Sequence, residues 1–208
     1  MFNHTSPYER VTARTDVLMG LLAGFIAFQL YQIPGFKFMV WTWAFALLAI
    51  SSFLGAVAHG YEMTPKTNDR LWMPINLSLG LALGLFVVGA LFDLSGEAIA
   101  RMVLPLMLAI GFGFFLITVW KPGTFMTFIA YEAVAMLFAL GVYVYLLFTS
   151  SLAGAGWMVL GVLVTIIAAV VQATGKAGKR IFWYFDNNGV FHLIQMLGMV
   201  LLYSGLNP

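Results

Sequence analysis

No cysteine occurs in the chain, which excludes disulfides, thiolate metal sites and a cysteine nucleophile while leaving the compartment open. Charge is scarce as well. Only 9% of the residues are Asp, Glu, Lys or Arg, against the roughly 25% that a soluble domain uses to cover its surface. The net charge of +2 is spread over short connections and forms no basic patch, so no nucleic-acid partner and no polybasic lipid-binding tail are expected. Polar connections long enough to fold alone are missing too, which leaves one domain and no soluble module.

What remains is 62% hydrophobic, the composition of an integral membrane protein. Apolar segments of about 20 residues, the length that crosses a hydrocarbon core, recur seven times, near 15–33, 38–60, 73–93, 102–120, 124–149, 156–174 and 188–206. The first is too long for a signal-peptide core and reads as a retained span. The Lys-Pro-Gly at 121–123 and the Ser, Gly and Ala-rich stretch at 150–156 are the weakest breaks. The expected fold is all-α, a polytopic seven-transmembrane-helix bundle.

The basic residues orient it. A cytoplasmic N-terminus places Arg10, Arg14, Lys66, Arg70, Lys121, Lys176, Lys179 and Arg180 on the inside and only Lys37 and Arg101 outside. The short tail, Asn207 and Pro208, then lies outside. Trp41, Trp43, Trp72, Trp120, Trp157 and Trp183 fall near span ends and are expected in an interfacial aromatic belt. Gly20, Gly24, Gly80, Gly84, Gly111 and Gly113 sit inside spans, where small residues let helices approach closely. Pro74 and Pro105 are read as lying near span starts.

The polar side chains gather toward the cytoplasmic end, and the outer half is nearly bare of ionisable groups. Asn188, His192 and Gln195 follow at i, i+4 and i+7 and share one face of the last helix. Ser52, Gly55, His59 and Glu62 share a face of the second. Glu132 lies about 12 Å into the fifth span at 1.5 Å per residue, with no basic neighbour in sequence. Asn76, Ser78 and Gln172 come from the same leaflet. The expected pocket is built from the second, fifth and seventh helices.

Two imidazoles and a carboxylate make a zinc site with an open position for water, the arrangement of a hydrolytic metal centre. His59 and His192 would be ligands with Asp186, or else Glu62, as the carboxylate; Glu132 would transfer protons and Asn188 would orient a substrate carbonyl or a water. Other readings stay open. Asp186 or Asn187 is equally suited to cap the last helix, His59 to hydrogen-bond at the interface, and Gln195 to join two helices. Glu132 is protonated, paired, or part of a proton or ion path. His4 is a solvated bystander.

Seven spans, the Gly55-Ala-Val-Ala-His-Gly60 ending of the second and an early histidine in the seventh resemble the superfamily of alkaline ceramidases and adiponectin/progestin receptors. Phe185-Asp-Asn-Asn-Gly-Val-Phe-His-Leu-Ile-Gln-Met196 also resembles the last span of uncharacterised bacterial membrane proteins, implying a bacterial inner membrane. The superfamily resemblance implies an intramembrane zinc hydrolase acting on a lipid amide or ester. Gly55 stands where that superfamily has Ser, Asn76 or Ser78 near its third-span Asp, and Asn188 in place of the first His of its last-span pair, so only His59 and His192 carry over. Two alternatives keep other chemistry: His59 and His192 as axial ligands of haem b in an electron-transfer protein, or a non-enzymatic accessory or lipid-binding subunit of a membrane complex.

Overall fold

In the computed structural model, which describes residues 5–121 and 125–206, seven α-helices form a bundle. They are α1 (Pro7–Tyr31), α2 (Phe36–Gly60), α3 (Pro65–Ser95), α4 (Glu97–Trp120), α5 (Phe125–Phe148), α6 (Ala155–Thr174) and α7 (Asn187–Leu206). All seven contain a segment long and apolar enough to cross a membrane. His4, Pro122, Gly123 and the tail of Asn207 and Pro208 lie outside the described residues.

Two helices reach well beyond the apolar segments that announce them. Ser6 caps α1, its hydroxyl accepting from the Glu9 amide, and Pro7 occupies the first turn, where a missing N–H costs nothing. Thr64 and Pro65 do the same for α3, with the Thr64 hydroxyl accepting from the Thr67 amide. Their first turns are polar, so hydropathy alone starts both spans about eight residues late. The extension puts Pro74 inside α3, and Pro105 likewise lies inside α4.

Neighbour relations close six of the helices into a ring in the order α1, α2, α3, α5, α6, α7. α4 stands outside it, packed along α3 and barely touching α5. That position explains its many exposed apolar side chains, among them Met102, Leu106, Phe112 and Leu116, which suit lipid. Inside the ring one apolar cluster joins Met19 and Ile26 of α1, Phe45 of α2, Phe86 of α3, Met136 of α5 and Met199 of α7.

Small residues set the tightest seams. A Cβ on Gly80 would lie 2.7 Å from the carbonyl oxygen of Gly111, and one on Gly84 2.7 Å from that of Met107, so α3 and α4 meet backbone to backbone. Gly161 against Leu202, Gly198 against Thr165 and Gly154 against Gly205 do the same for α6 and α7. Gly24 and Gly113, expected to serve the same purpose, face open space.

The tryptophans divide. Trp43, Trp120, Trp157 and Trp183 are exposed as a belt requires, whereas Trp41 is only 1% exposed, packed edge-on against Phe86 at 5.1 Å and lying over Gly89. Five residues into a helix, a side chain that points inward is already core, and position along the span does not reveal direction. The outer half is not bare of charge either. Lys37 Nζ sits 2.6 Å from Asp93 Oδ1, and the Tyr143 hydroxyl donates to Asp93 Oδ2 at 3.1 Å, tying α2, α3 and α5 together.

Gly80→Val should cost about 1–3 kcal/mol through overpacking and lower the unfolding temperature in detergent, whereas Gly113→Ala should leave it unchanged. Equal effects would contradict the α3–α4 seam.

Candidate functional site

Within the ring lies a cavity of about 170 Å³ that runs from His59 and Gln172, at the end where the N-terminus, the α2–α3 turn and the α6–α7 loop lie, to Trp41 and Leu202 in the opposite half. The His59 end is the one at which the basic residues gather, expected from sequence to face the cytoplasm. Its walls come from α1, α2, α3, α5, α6 and α7. Most of the lining is apolar, including Trp41, Phe45, Leu83, Phe86, Met136 and Met199. The polar lining is Asp16, His59, Glu132, Gln172, His192 and Gln195 with the hydroxyls of Ser51, Ser52 and Thr165.

His192, His59, Glu132 and Gln195 are where the sequence put them, on the wall of one cavity. Asn188 is not: its amide oxygen lies against Gln172 Nε2 and Asn187 Nδ2, each at 3.5 Å, in the α6–α7 seam. Asp186 caps the seventh helix. Fully buried, it accepts through Oδ1 from the amides of Asn188 and Gly189, both at 3.1 Å, and from the Thr12 hydroxyl at 3.3 Å. Its Oδ2 accepts from the Gly178 amide at 2.8 Å, which pins the α6–α7 loop, Gly178 itself adopting a φ of +73°. One carboxylate thus satisfies two otherwise orphaned helix-end amides and a loop amide and reaches across to α1.

The first helix is the part that sequence reasoning passed over. Glu9, Thr12 and Asp16 recur every three or four residues, which places them on one face of α1, and Thr5 precedes them just before the helix cap. The Thr5 hydroxyl donates to the His59 carbonyl, Glu9 Oε2 lies 2.6 Å from His59 Nδ1, and Asp16 Oδ1 lies 3.3 Å from His192 Nε2. Asp16 stands two residues after Arg14 and one inside the expected span, where it passes for part of a solvated tail. The signal that identifies it is the polar stripe itself, continuous from Thr5 through Asp16.

The Thr15 hydroxyl lies 2.8 Å from both the Thr12 carbonyl and His192 Nδ1. When it donates to the carbonyl it accepts from Nδ1, and when it donates to Nδ1 the imidazole proton stands on Nε2, 3.3 Å from Asp16 Oδ1. Either way the imidazole holds its Nε2 edge toward Asp16. Gly55 leaves the space for it, since a Cβ there would stand 3.1 Å from both carboxylate oxygens of Asp16.

Two carboxyls keep an oxygen without a partner. Asp16 Oδ2 and Glu132 Oε2 are buried and unbonded, on residues 4% and 6% exposed. Around the zinc reading the bonds fall differently: both nitrogens of His192, both oxygens of Asp186 and Nδ1 of His59 are already engaged. Among the described residues no three His, Asp or Glu side chains converge as a metal would need. Nor does His192 have a free nitrogen for a haem iron. As bonded here, His192 and Asp186 offer no atom to a resident metal or haem, whereas His59 keeps Nε2 and Asp16 and Glu132 each keep one oxygen.

Asp186→Ala should lower stability by about 2 kcal/mol or more, the loss of a cap and of buried bonds together, seen as a drop in unfolding temperature. Asp186→Asn, which keeps one acceptor for the cap, should lose less.

No curated protein and no solved structure matches the chain. A family model does match, over residues 11–207 and so across nearly every helix described above, and the chain belongs to that family, the family of unknown function DUF6962.

Proposed function

We propose that this protein binds an amphiphile from the bilayer inside its helix ring, with the polar head at Asp16, His192 and Glu132 and the apolar chain along Phe45, Phe86, Met136 and Met199. The observation that carries the reading is the composition of the cavity wall, polar at one end and hydrocarbon along the rest. A wholly polar solute would leave the aromatic and methionine walls unsatisfied, and a wholly apolar one would strand two carboxyl oxygens away from water, which costs about 1–3 kcal/mol for each unpaired group. An amphiphile satisfies both.

The position suits entry from lipid. The cavity runs along the membrane-crossing part of the ring, with the carboxyls of Asp16 and Glu132 about two turns inside the ends of α1 and α5 and the apolar walls beyond them at hydrocarbon depth. Any acid–base step on a bound head group falls to Asp16 and Glu132, the lining carboxyls with an uncommitted oxygen, with His192 Nε2 3.3 Å from Asp16 Oδ1 to hold it in place. Glu132 keeps the role in proton transfer that the sequence assigns to it, and Asp16 takes the place given there to a metal. Hydrolysis of a lipid amide or ester, if it occurs at this site, is then carboxyl chemistry.

Native mass spectrometry of the protein released from nanodiscs should show an adduct of lipid-like mass. Leu83→Trp, which fills the apolar end of the cavity, should lower its occupancy about tenfold, the effect of ~1.4 kcal/mol, in a variant still helical by circular dichroism. An adduct-free wild-type protein would contradict the reading, as would an adduct indifferent to Leu83→Trp. Stoichiometric zinc lost on His192→Ala would return the site to a metal.

A further inference from the structure

The polar groups of the cavity are unbalanced in kind. Among the described residues, no Lys or Arg lines it. At its polar end most donors are spent: Ser51 and Ser52 donate to the Leu48 carbonyl, each at 2.8 Å, the Gln195 amide donates to Thr165 at 3.4 Å, and His59 Nδ1 and both nitrogens of His192 face Glu9, Thr15 and Asp16. Trp41 Nε1, a buried lining donor without a partner, lies at the opposite, apolar end. What is left over at the polar end accepts. Asp16 Oδ2, Glu132 Oε2, Gln172 Oε1 and Gln195 Oε1 are all buried without a partner. The two glutamine amides can be turned to exchange oxygen for nitrogen. The two carboxyls accept when ionised, as a cationic partner would hold them, and they come from helices on different sides of the ring, α1 and α5.

An occupant that fits must bring hydrogen-bond donors, and positive charge suits two carboxyl groups held away from water better than a neutral head does. A primary ammonium brings three N–H donors and one charge on a compact head. The rings of Phe45, Phe86, Phe128 and Phe191, which also line the cavity, tolerate a cation over their faces as well as a hydrocarbon chain against them. An anionic head would meet two carboxyls and no fixed cation. We infer that the site selects a long-chain amine, held by Asp16 and Glu132 through its ammonium group, over neutral and anionic amphiphiles of the same length. This rests on the amphiphile reading above and narrows it to one class of head group.

The test uses the whole protein in phosphatidylcholine nanodiscs with three photoreactive probes of equal chain length, each bearing a diazirine at the chain end: a primary amine, a primary alcohol and a carboxylic acid. Labelled peptides are mapped by mass spectrometry. The amine should label the segments carrying Phe45, Met136 and Met199 at least about tenfold more than the alcohol, with the acid weakest, and unlabelled amine should compete where unlabelled alcohol does not. In Glu132→Gln and in Asp16→Asn the ratio of amine to alcohol labelling should fall toward one. The competition arm needs no variant and stands if Asp16→Asn fails to fold. Equal labelling by amine and alcohol, or a ratio unmoved by Glu132→Gln, overturns the amine assignment and leaves the amphiphile reading in place. Displacement of the amine by sodium or potassium ions reassigns the carboxyls to an inorganic cation. No labelling of the cavity wall by any probe overturns both.

Discussion

The contact between Asp16 on the first helix and His192 on the last is the constraint from which the site follows. A ring of helices needs its first and last members joined, and here that junction carries a run of buried polar contacts. Thr12 to Asp186, Thr15 to His192 and Asp16 to His192 follow one another up a single seam. In a medium with no water to compete, each of these groups is costly unless it is bonded, so the seam specifies which faces of α1 and α7 meet. Closing it brings the Asp16 carboxyl to the inner wall, with Gly55 of α2 leaving room beside it.

Asp186 shows how one side chain serves several levels of structure. It begins α7, fastens the loop that precedes it, and bonds to Thr12 across the ring. The loop it holds is tight, with a bridge between Phe182 and Phe185 and Trp183 in the left-handed region at a φ of 43°. Ile181, Trp183 and Tyr184 are exposed from it beside Lys179 and Arg180, the mixture that suits a membrane interface. The carboxylate that composition and spacing offered as a metal ligand is committed here to backbone amides, whereas the unpaired acids, Asp16 and Glu132, lie deeper.

Much of this was legible in the sequence, for physical reasons. Spans are long and repetitive, so hydropathy finds all seven, and the span ends agree with the helices to within two residues except at the starts of α1, α3 and α4, where charged or polar first turns hide the helix. His59, Glu132, His192 and Gln195 are expensive residues in apolar surroundings and announce themselves. Three things were not legible. Which helices are neighbours depends on packing, so the place of α1 in the site and of α4 outside the ring could not be read from order along the chain. Trp41 and Asn188 each pointed elsewhere than their position along a span suggested, because direction around a helix is settled by the partner it meets. Asp16 was masked by Arg10 and Arg14, six and two residues before it, which made a buried acid look like the end of a solvated tail.

The central claim is that Asp16 and Glu132 face one enclosed space that receives the head of an amphiphile. A cryo-electron microscopy map of the protein in a lipid nanodisc tests it most directly. The account predicts elongated non-protein density inside the six-helix ring, with one end between Asp16 and Glu132 and the remainder along Phe45, Phe86 and Met199. A ring collapsed so that the two carboxyls bond to each other or to protein groups, with α1 and α7 joined by contacts other than Asp16 to His192, would contradict it.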